Sequence, residues 1–216
     1  MTPHACRYAS ALPPEGAQPG LGRAGAGPMR AVFLDRDGVV TVDHGYTHRV
    51  EDFEFVAGSA AAMKQLQSAG WRLVVVTNQS GIARGLYSSA DYERFTAHLR
   101  WQLRLQGVHL DAVLHCPHLP DATVAAYRVA CDCRKPAPGM LLRAARDLQL
   151  DLSASVIVGD RLSDVQAGRA AGVGRCVLVR SGQPIDASDA RLADAVFDDL
   201  AAFARTVVDS TRDDPR

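Results

Sequence analysis

The sequence AVFLDRDGV, residues 31–39, combines a fully apolar run with two carboxylates that follow it directly. The run of residues 31–34 has the length and apolar character of a buried strand. Ligands of parallel sheets bind in the crevice at the carboxyl ends of the strands. Because side chains at i and i+2 of an extended segment point the same way, Asp35 and Asp37 can face one ligand there. The stretch therefore predicts a sheet strand that ends in a ligand site.

Similar short apolar runs recur along the chain, and helix-like segments separate them. The runs cover residues 73–76, 112–114, 156–158 and 176–179, with a weaker one at 195–197. Amphipathic helices are indicated over residues 60–69 and 91–106, and Pro138 suits the first turn of another. This alternation is typical of a doubly wound, mostly parallel sheet with helices on both faces. The predicted fold class is α/β and Rossmann-like.

Charge and composition limit the partners that we expect. The 216 residues include 24 basic and 24 acidic side chains, so no broad basic face for nucleic acid or an acidic membrane is expected. Residues 1–28 are rich in Ala, Gly and Pro and lack a signal-peptide core, which favours a disordered tail. We expect one domain over residues 29–210, in a cytoplasmic and monomeric protein.

Polar residues also follow the second and fourth apolar runs. Residues 77–81 read TNQSG, and Asp160 and Asp164 follow residues 156–158. Hydroxyl and backbone N–H groups at a strand end can hold a phosphoryl group, and Lys135 adds a cation before the third helix. Buried neighbouring carboxylates demand a cation, which Mg²⁺ would supply. The simpler alternatives are a solvated Asp37-Gly38 turn and helix capping by the acidic pair.

A cysteine-rich loop interrupts the alternation. Cys116, His118, Cys131 and Cys133 lie within residues 116–133, and a set of three Cys and one His is a recognised structural zinc site. With four protein ligands the zinc has no open position for a reactive water, and the loop ends two residues before Lys135. We expect a small zinc-bound loop in place of a large cap domain. The alternative is a set of incidental buried cysteines, and the odd total of five argues against a disulfide scaffold.

The order of these residues resembles the four motifs of the haloacid dehalogenase-like phosphohydrolases: Asp35-x-Asp37, Thr77, Lys135, and Asp160 with Asp164. The resemblance implies that Asp35 attacks phosphorus and that Asp37 protonates the leaving oxygen and then activates water. Thr77 and Lys135 would hold the phosphoryl oxygens.

The same resemblance implies a magnesium site and assigns its ligands. Mg²⁺ would be bound by the carboxylates of Asp35 and Asp160 and by the Asp37 carbonyl. Asp164 would orient the site from its edge. Arg161 stands where the family often has lysine, so its role at the site edge is open.

The zinc loop and three further segments resemble the histidinol-phosphatase-related branch of that family. The segments are residues 43–46, 77–85 and 133–136. The resemblance implies a small phosphorylated sugar, a bisphosphate, as the substrate, with Arg134 at its remote phosphate because a guanidinium can bind two oxygens. The other substrate contacts that it implies are Asp43, His44, Gly45, Tyr46, Thr77, Asn78, Gln79, Ser80 and Lys135.

Two other functions remain open from the sequence. Histidinol-phosphate phosphatases share the four motifs and a similar Cys-x-His and Cys-x-Cys loop. A non-catalytic, zinc-stabilised binding module would keep the fold, although such a module predicts a broken motif and every motif residue is present. Arg134 could also be an ordinary surface arginine.

Overall fold

The structure is a computed structural model that describes residues 29–212. Within this range six parallel strands form one sheet in the order β3-β2-β1-β4-β5-β6. The strands are β1 (Ala31–Leu34), β2 (Arg72–Asn78), β3 (Ala112–Cys116), β4 (Val156–Gly159), β5 (Arg175–Val179) and β6 (Ala195–Phe197). The predicted fold class is confirmed, and each predicted apolar run forms a strand. The tail expected at residues 1–28 lies outside the described residues.

Seven α-helices connect and cover the strands in this part of the chain. They are α1 (Ser59–Ser68), α2 (Ser80–Ala83), α3 (Ser89–Leu105), α4 (Gly139–Leu148), α5 (Leu162–Ala171), α6 (Ala187–Leu192) and α7 (Leu200–Arg212). Ser88 begins α3 with a capping box, in which its hydroxyl accepts from the backbone N–H of Asp91 and the Asp91 carboxylate accepts from that of Ser88. The expected domain end at residue 210 falls inside α7.

Alternate side chains of each strand pack into two separate hydrophobic cores, one on each face of the sheet. Val32 and Leu34 of β1 pack in the core that contains apolar side chains of α1, α3 and α7. Ala31 and Phe33 pack on the opposite face with apolar side chains of α4 and α5. Both faces of β1 are fully buried, which is why its sequence is an unbroken apolar run rather than an alternating one.

The strand order determines where a ligand crevice opens. β1 pairs with β2 on one side and with β4 on the other, so the order reverses beside β1. In doubly wound sheets the crevice lies at this switch point, outside the carboxyl ends of the strands. The residues that follow β1, β2 and β4 are therefore brought together although they are far apart in sequence.

None of the helices described between residues 29 and 212 combines the length and apolar content needed to cross a membrane.

Candidate active site

Asp35 lies directly after β1 at the floor of the crevice and is buried. Its backbone N–H donates to the Val158 carbonyl at 3.0 Å, which ties the end of β1 to β4. Its Oδ1 accepts from the Arg36 backbone N–H at 2.7 Å. Burial raises the pKa of Asp35 to about 8; Lys135 opposes this shift, and nearby carboxylates add to it. The carboxylate is thus held in one orientation in a place that demands positive charge.

Lys135 supplies part of that charge from the residues just before α4. Its side chain is only 1% exposed, and its Nζ lies 3.1 Å from Asp35 Oδ1 and 2.5 Å from Asp164 Oδ1. Nζ also donates to the Val76 carbonyl at 2.8 Å. Burial lowers the pKa of Lys135, but the Asp164 and Asp35 carboxylates outweigh burial and raise it above the ordinary value. Lys135 therefore stays protonated.

Asp160 and Asp164 complete the acidic group. Asp160 follows β4, and Asp164 lies in the first turn of α5. One carboxylate oxygen from each of Asp35, Asp160 and Asp164 lies within 4.8 Å of the other two. Burial, followed by the Asp164 charge, raises the pKa of Asp160 to about 6. Asp164, which we expected to orient the site from its edge, is fully buried and pairs with Lys135.

The acidic group fits a divalent cation. Asp160 Oδ1 is buried and accepts no hydrogen bond from the residues that the structure describes. Its other oxygen, Oδ2, accepts from the Gln183 backbone N–H at 2.9 Å. A Cβ at Gly182 would lie 2.2 Å from the same Oδ2, so only glycine allows the loop after β5 to pack on this carboxylate. Arg161 Nε lies 4.0 Å from Asp160 Oδ1, beyond hydrogen-bond distance. A buried carboxylate oxygen that accepts no hydrogen bond, beside two further carboxylates, is the kind of ligand set that Mg²⁺ prefers.

Asp37 does not join that group, because its carboxylate is bound by its neighbour. Arg36 donates from Nε to Asp37 Oδ1 at 2.8 Å and from Nη2 to Asp37 Oδ2 at 2.9 Å. The Asp37 side chain keeps 21% of its surface exposed, whereas the Arg36 side chain is 1% exposed. The Arg36 guanidinium lies 4.7 Å from the Phe95 ring centroid. The Arg36 guanidinium thus orients the Asp37 carboxylate from the protein interior, and the carboxylate remains accessible from the crevice.

The residues that end β2 divide their roles. Thr77 is buried at the strand end, and Ser80 is half-buried at the start of α2. The Asn78 amide brackets Lys135: its Nδ2 donates to the Lys135 carbonyl at 2.9 Å, and its Oδ1 accepts from the Lys135 N–H at 3.1 Å. Gln79 is buried, and its side-chain amide bonds to Arg36, Asp37, Thr77 and Tyr87. Both side-chain amides are thus engaged inside the protein, and the expected contact of Asn78 and Gln79 with substrate stays a prediction.

The segment 43–46 forms an exposed rim around the crevice. Asp43 is half-buried and accepts from the Gln183 side chain at 3.2 Å, and Arg161 Nη2 lies 3.6 Å from it. His44, Gly45 and Tyr46 are exposed, and the His44 ring lies 3.2 Å from the Glu54 carboxylate.

Two arginines complete the surroundings of the crevice. Arg161 has 54% of its side chain exposed, and its Nε lies 4.0 Å from Asp160 Oδ1. Arg134 is half-buried, and its Nη1 donates to the His118 carbonyl at 3.3 Å.

The four expected zinc ligands lie together, with Cys116 at the end of β3 and the other three in the segment that leads to α4. Cys133 Sγ lies 3.2 Å from Cys116 Sγ, 3.3 Å from Cys131 Sγ and 3.5 Å from His118 Nδ1. Hydrogen bonds from Cys116 and Cys133 lower the pKa of the Cys131 thiol. None of the four described cysteines forms a disulfide. Three sulfurs and one imidazole nitrogen at these separations are a donor set that suits tetrahedral zinc.

Sequence reasoning missed several residues that shape the site. Arg36 was only the middle residue of a motif, and strand alternation favours an outward side chain there, yet its guanidinium turns inward to Asp37. Gly182 and Gln183 follow β5, whose end has no acidic signal. Tyr87, whose hydroxyl donates to Gln79 at 2.6 Å, lies in an ordinary connecting segment. The only sequence signal for these contacts is the position of Arg36 between Asp35 and Asp37, where a guanidinium can pair with a neighbouring carboxylate.

The chain is similar to known phosphatases along most of its length. Residues 132–203 match the HAD-hydrolase-like family. A D-glycero-beta-D-manno-heptose-1,7-bisphosphate 7-phosphatase from Photorhabdus laumondii is 46% identical over 177 residues, which is 82% of this chain and 94% of the relative. The phosphatase of the same name from Escherichia coli is 49% identical over 177 residues, covering 82% of this chain and 93% of the relative.

A solved structure agrees with these relatives. D,D-heptose 1,7-bisphosphate phosphatase from B. bronchiseptica, complexed with magnesium and phosphate, has a TM-score of 0.72 and 34% identity, covering 84% of this chain and 99% of that one. The predicted relationship to phosphate monoester hydrolases is confirmed. Because the similarity covers most of this chain and almost all of each relative, the chain belongs to the family of D-glycero-beta-D-manno-heptose-1,7-bisphosphate 7-phosphatases, within the HAD-like hydrolases.

Proposed function

We propose that this chain hydrolyses the 7-phosphate of D-glycero-beta-D-manno-heptose 1,7-bisphosphate and releases heptose 1-phosphate and inorganic phosphate. The observation that carries the proposal is the buried contact of Lys135 with Asp35 at the crevice, in a chain 49% identical to a phosphatase of that name. The names of the relatives specify the beta anomer, and we extend that preference to this chain. The product serves the cytoplasmic supply of activated heptose for bacterial lipopolysaccharide.

Asp35 is the nucleophile in this proposal. An oxygen of its carboxylate attacks the phosphorus of the 7-phosphate, a P–O bond to Asp35 forms, and the P–O bond to the sugar breaks. Lys135 and the hydroxyl of Thr77 hold the phosphoryl oxygens during the transfer, since charge develops on them in the transition state. Asp164 keeps Lys135 in place through their ion pair.

Asp37 is the general acid and base. It gives its proton to the sugar oxygen as the bond to phosphorus breaks, so the sugar leaves as an alcohol. It then takes a proton from a water whose oxygen attacks the phosphorus, which releases phosphate and restores Asp35. Its position supports both roles, because Arg36 holds the carboxylate from behind while one side faces the crevice.

The carboxylates of Asp35 and Asp160 and the Asp37 carbonyl would hold Mg²⁺. A bound Mg²⁺ supplies positive charge that offsets the repulsion between the phosphate dianion and the Asp35 carboxylate. The magnesium named for the structure from B. bronchiseptica supports Mg²⁺ as the ion, and the buried Asp160 Oδ1, which accepts no hydrogen bond from the described residues, supports Asp160 as a ligand.

The sugar and its second phosphate contact the rim of the crevice. The proposed contacts are Asp43, His44, Gly45, Tyr46, Ser80 and Arg134. Arg134 receives the 1-phosphate, because its guanidinium is anchored through one nitrogen and can offer the others to phosphate oxygens. Zinc on Cys116, His118, Cys131 and Cys133 stabilises the loop that carries Arg134.

The catalytic unit is residues 29–210, acting as a monomer. Every side chain assigned above lies between residues 35 and 164, and the backbone N–H that supports Asp160 belongs to Gln183. The preceding 28 residues contribute no group to the reaction.

Phosphate release from three substrates tests the function. We expect heptose 1,7-bisphosphate to give a kcat/KM at least about tenfold above those of histidinol phosphate and fructose 1,6-bisphosphate. Histidinol phosphate is the sharpest contrast because it lacks a second phosphate for Arg134. A higher kcat/KM on histidinol phosphate would reject the proposed substrate, and no release from any of the three would reject the reaction.

A further inference from the structure

Gln79 is a buried amide that no step of the proposed reaction uses. It lies just before α2, with its backbone N–H donating to the Cys116 carbonyl at 2.8 Å, and its residue surface is 2% exposed. A glutamine in this position could contact a substrate only by leaving its partners. Its hydrogen bonds instead connect two residues that the reaction does use.

The partners of Gln79 determine which way its amide points. Oε1 accepts from Arg36 Nη2 at 3.1 Å and from the Tyr87 hydroxyl at 2.6 Å. Arginine has donors and no acceptor, so the atom that faces Arg36 has to be the oxygen. The NH₂ group therefore faces the other side, where Nε2 donates to Asp37 Oδ2 at 3.0 Å and to Thr77 Oγ1 at 2.8 Å.

These two bonds affect the general acid and the phosphoryl-binding hydroxyl together. Thr77 accepts from Gln79, so its own hydroxyl proton is available for a phosphoryl oxygen. Asp37 is held through both oxygens, since Oδ1 accepts from Arg36 and Oδ2 accepts from Arg36 and Gln79. The Gln79 amide thus fixes the distance between the Asp37 carboxylate, which protonates the leaving oxygen, and the Thr77 hydroxyl, which holds the phosphate.

Tyr87 keeps the amide in this orientation from outside the site. Its ring lies on Gly81, where a Cβ would come 2.0 Å from Cε1, and stacks on His48 with centroids 4.6 Å apart. Burial raises the pKa of Tyr87 well above its ordinary value, so the hydroxyl remains a donor. Tyr87 makes no contact with Asp37 or Thr77 among the hydrogen bonds of the described residues, and any effect of its hydroxyl on them passes through Gln79.

We propose that Gln79 is a positioning residue that aligns Asp37 and Thr77 with each other, and that Tyr87 and Arg36 set its orientation. This role rests on the proposed phosphatase function. It gives Gln79 hydrogen bonds to Asp37 and Thr77 in place of the contact with substrate that the sequence resemblance implies. It predicts that loss of the amide affects protonation of the leaving group more than substrate binding.

Two substrates with different leaving groups test this role. The sugar ester leaves as an alkoxide that needs a proton from Asp37, whereas p-nitrophenyl phosphate leaves as a stabilised phenolate that does not. For Gln79→Met we expect kcat on heptose 1,7-bisphosphate to fall about 10²-fold, with KM within about threefold of wild type. On p-nitrophenyl phosphate kcat should fall about tenfold or less. Gln102→Met, on α3 and away from the crevice, is the matched control and should change neither rate.

A second variant keeps the test independent of folding at position 79. Tyr87→Phe removes one hydroxyl and should give the same pattern at smaller size, with about a tenfold loss on the sugar ester and little change on the aryl ester. Thermal melting establishes that each variant is folded. Asp37→Asn removes the proposed general acid itself. We expect it to give the largest ratio of the kcat loss on the sugar ester to the kcat loss on p-nitrophenyl phosphate, and the ratios of the other variants are compared with it.

Three outcomes would overturn the inference. A raised KM with unchanged kcat would make Gln79 a substrate contact, equal losses on both esters would make its role only structural, and an unaltered Tyr87→Phe would exclude the coupling. If wild type hydrolyses the aryl ester but not heptose 1,7-bisphosphate, the proposed substrate fails separately. The ratio is then measured with whichever alkyl phosphate wild type does hydrolyse.

Discussion

Lys135 Nζ lies 3.1 Å from Asp35 Oδ1 at the bottom of the crevice, with almost no exposure of either side chain. The pair combines the proposed nucleophile with a cation that serves the phosphoryl group, so the two roles can be separated by substitution. Replacing Asp35 removes the attacking oxygen but leaves Lys135 paired with Asp164. Replacing Lys135 leaves two buried carboxylates without their partner.

We expect Asp35→Asn to abolish turnover without unfolding the protein. The amide has no nucleophilic oxygen, so kcat should fall by about 10⁴-fold or more. The melting temperature should stay the same or rise, since one charge leaves a crowded and buried acidic group. Phosphate release, melting and zinc content measured on the same preparation check this. Substantial residual turnover would reject Asp35 as the nucleophile.

Lys135→Met should destabilise the protein as well as inactivate it. Removing one partner of a buried ion pair leaves uncompensated charge and typically costs about 3 kcal/mol or more. The chain has only two lysines, and Lys64 is exposed on α1, which makes Lys64→Met a matched control with an expected change below about 0.5 kcal/mol. Urea denaturation of both variants decides the point. Similar midpoints for the two would show that the buried pair contributes little.

The sequence could predict the strands and the acidic strand ends, because each depends on a local pattern. An apolar run followed by Asp35 or Asp160 has one natural place in a parallel sheet, and the structure puts both at the crevice. The direction of the Arg36 side chain depends instead on Gln79 and Phe95, which belong to other elements. No pattern within one segment contains that information.

Asp164 shows a different limit. Its position after the fourth strand could be read from the sequence, but the burial of its side chain depends on the first turn of α5 and on Lys135, 29 positions earlier in the numbering. The support of Asp160 by Gly182 and Gln183 likewise arises from β5 lying beside β4. Such contacts follow from strand order and not from residue spacing, so only the assembled sheet reveals them.

We expect the Cys116–Cys133 loop to bind one zinc ion per chain and to need it for stability. Cys131→Ser should lose the metal, lower the melting temperature by about 5 °C or more and reduce activity indirectly through Arg134 and Lys135. Elemental analysis and melting curves measure both effects. Cys176→Ala is the control, because Cys176 lies in β5 and is not one of the four clustered ligands, so its loss should leave the zinc content unchanged. Equal zinc content in the two variants would contradict the assignment.

A chain shortened to begin at Met29 should keep full activity. Its kcat/KM should stay within about twofold of that of the complete chain, since every assigned residue is retained. A chain begun at Ala31 is the matched control. It loses the bond from the Asp151 N–H to the Met29 carbonyl and the contact of Arg30 with the Trp71 ring, and should melt a few degrees lower. A large loss of activity on starting at Met29 would mean that the first 28 residues contribute to the site.

Magnesium binding should strengthen as pH rises. Burial raises the pKa of Asp35 to about 8 and that of Asp160 to about 6 in the metal-free protein. Because these folded-state values exceed the unfolded value near 4, the folded state binds protons that the unfolded state releases, and its stability falls as pH rises through this window. Mg²⁺ needs the ionised carboxylates, so it competes with those protons.

From about pH 6 to about pH 8 we therefore expect the affinity for Mg²⁺ to rise by up to about tenfold per pH unit, one proton being displaced. At one fixed Mg²⁺ concentration, the metal-induced increase in melting temperature should be larger at the higher pH. Calorimetry with and without the metal isolates this difference. Buried groups that the metal does not contact, such as His115, contribute equally to both melting temperatures, so their pH dependence cancels. Asp35→Asn should flatten the pH dependence, since the most strongly shifted carboxyl is gone. A magnesium effect that is independent of pH in wild type would show that no raised carboxyl group titrates at the metal site.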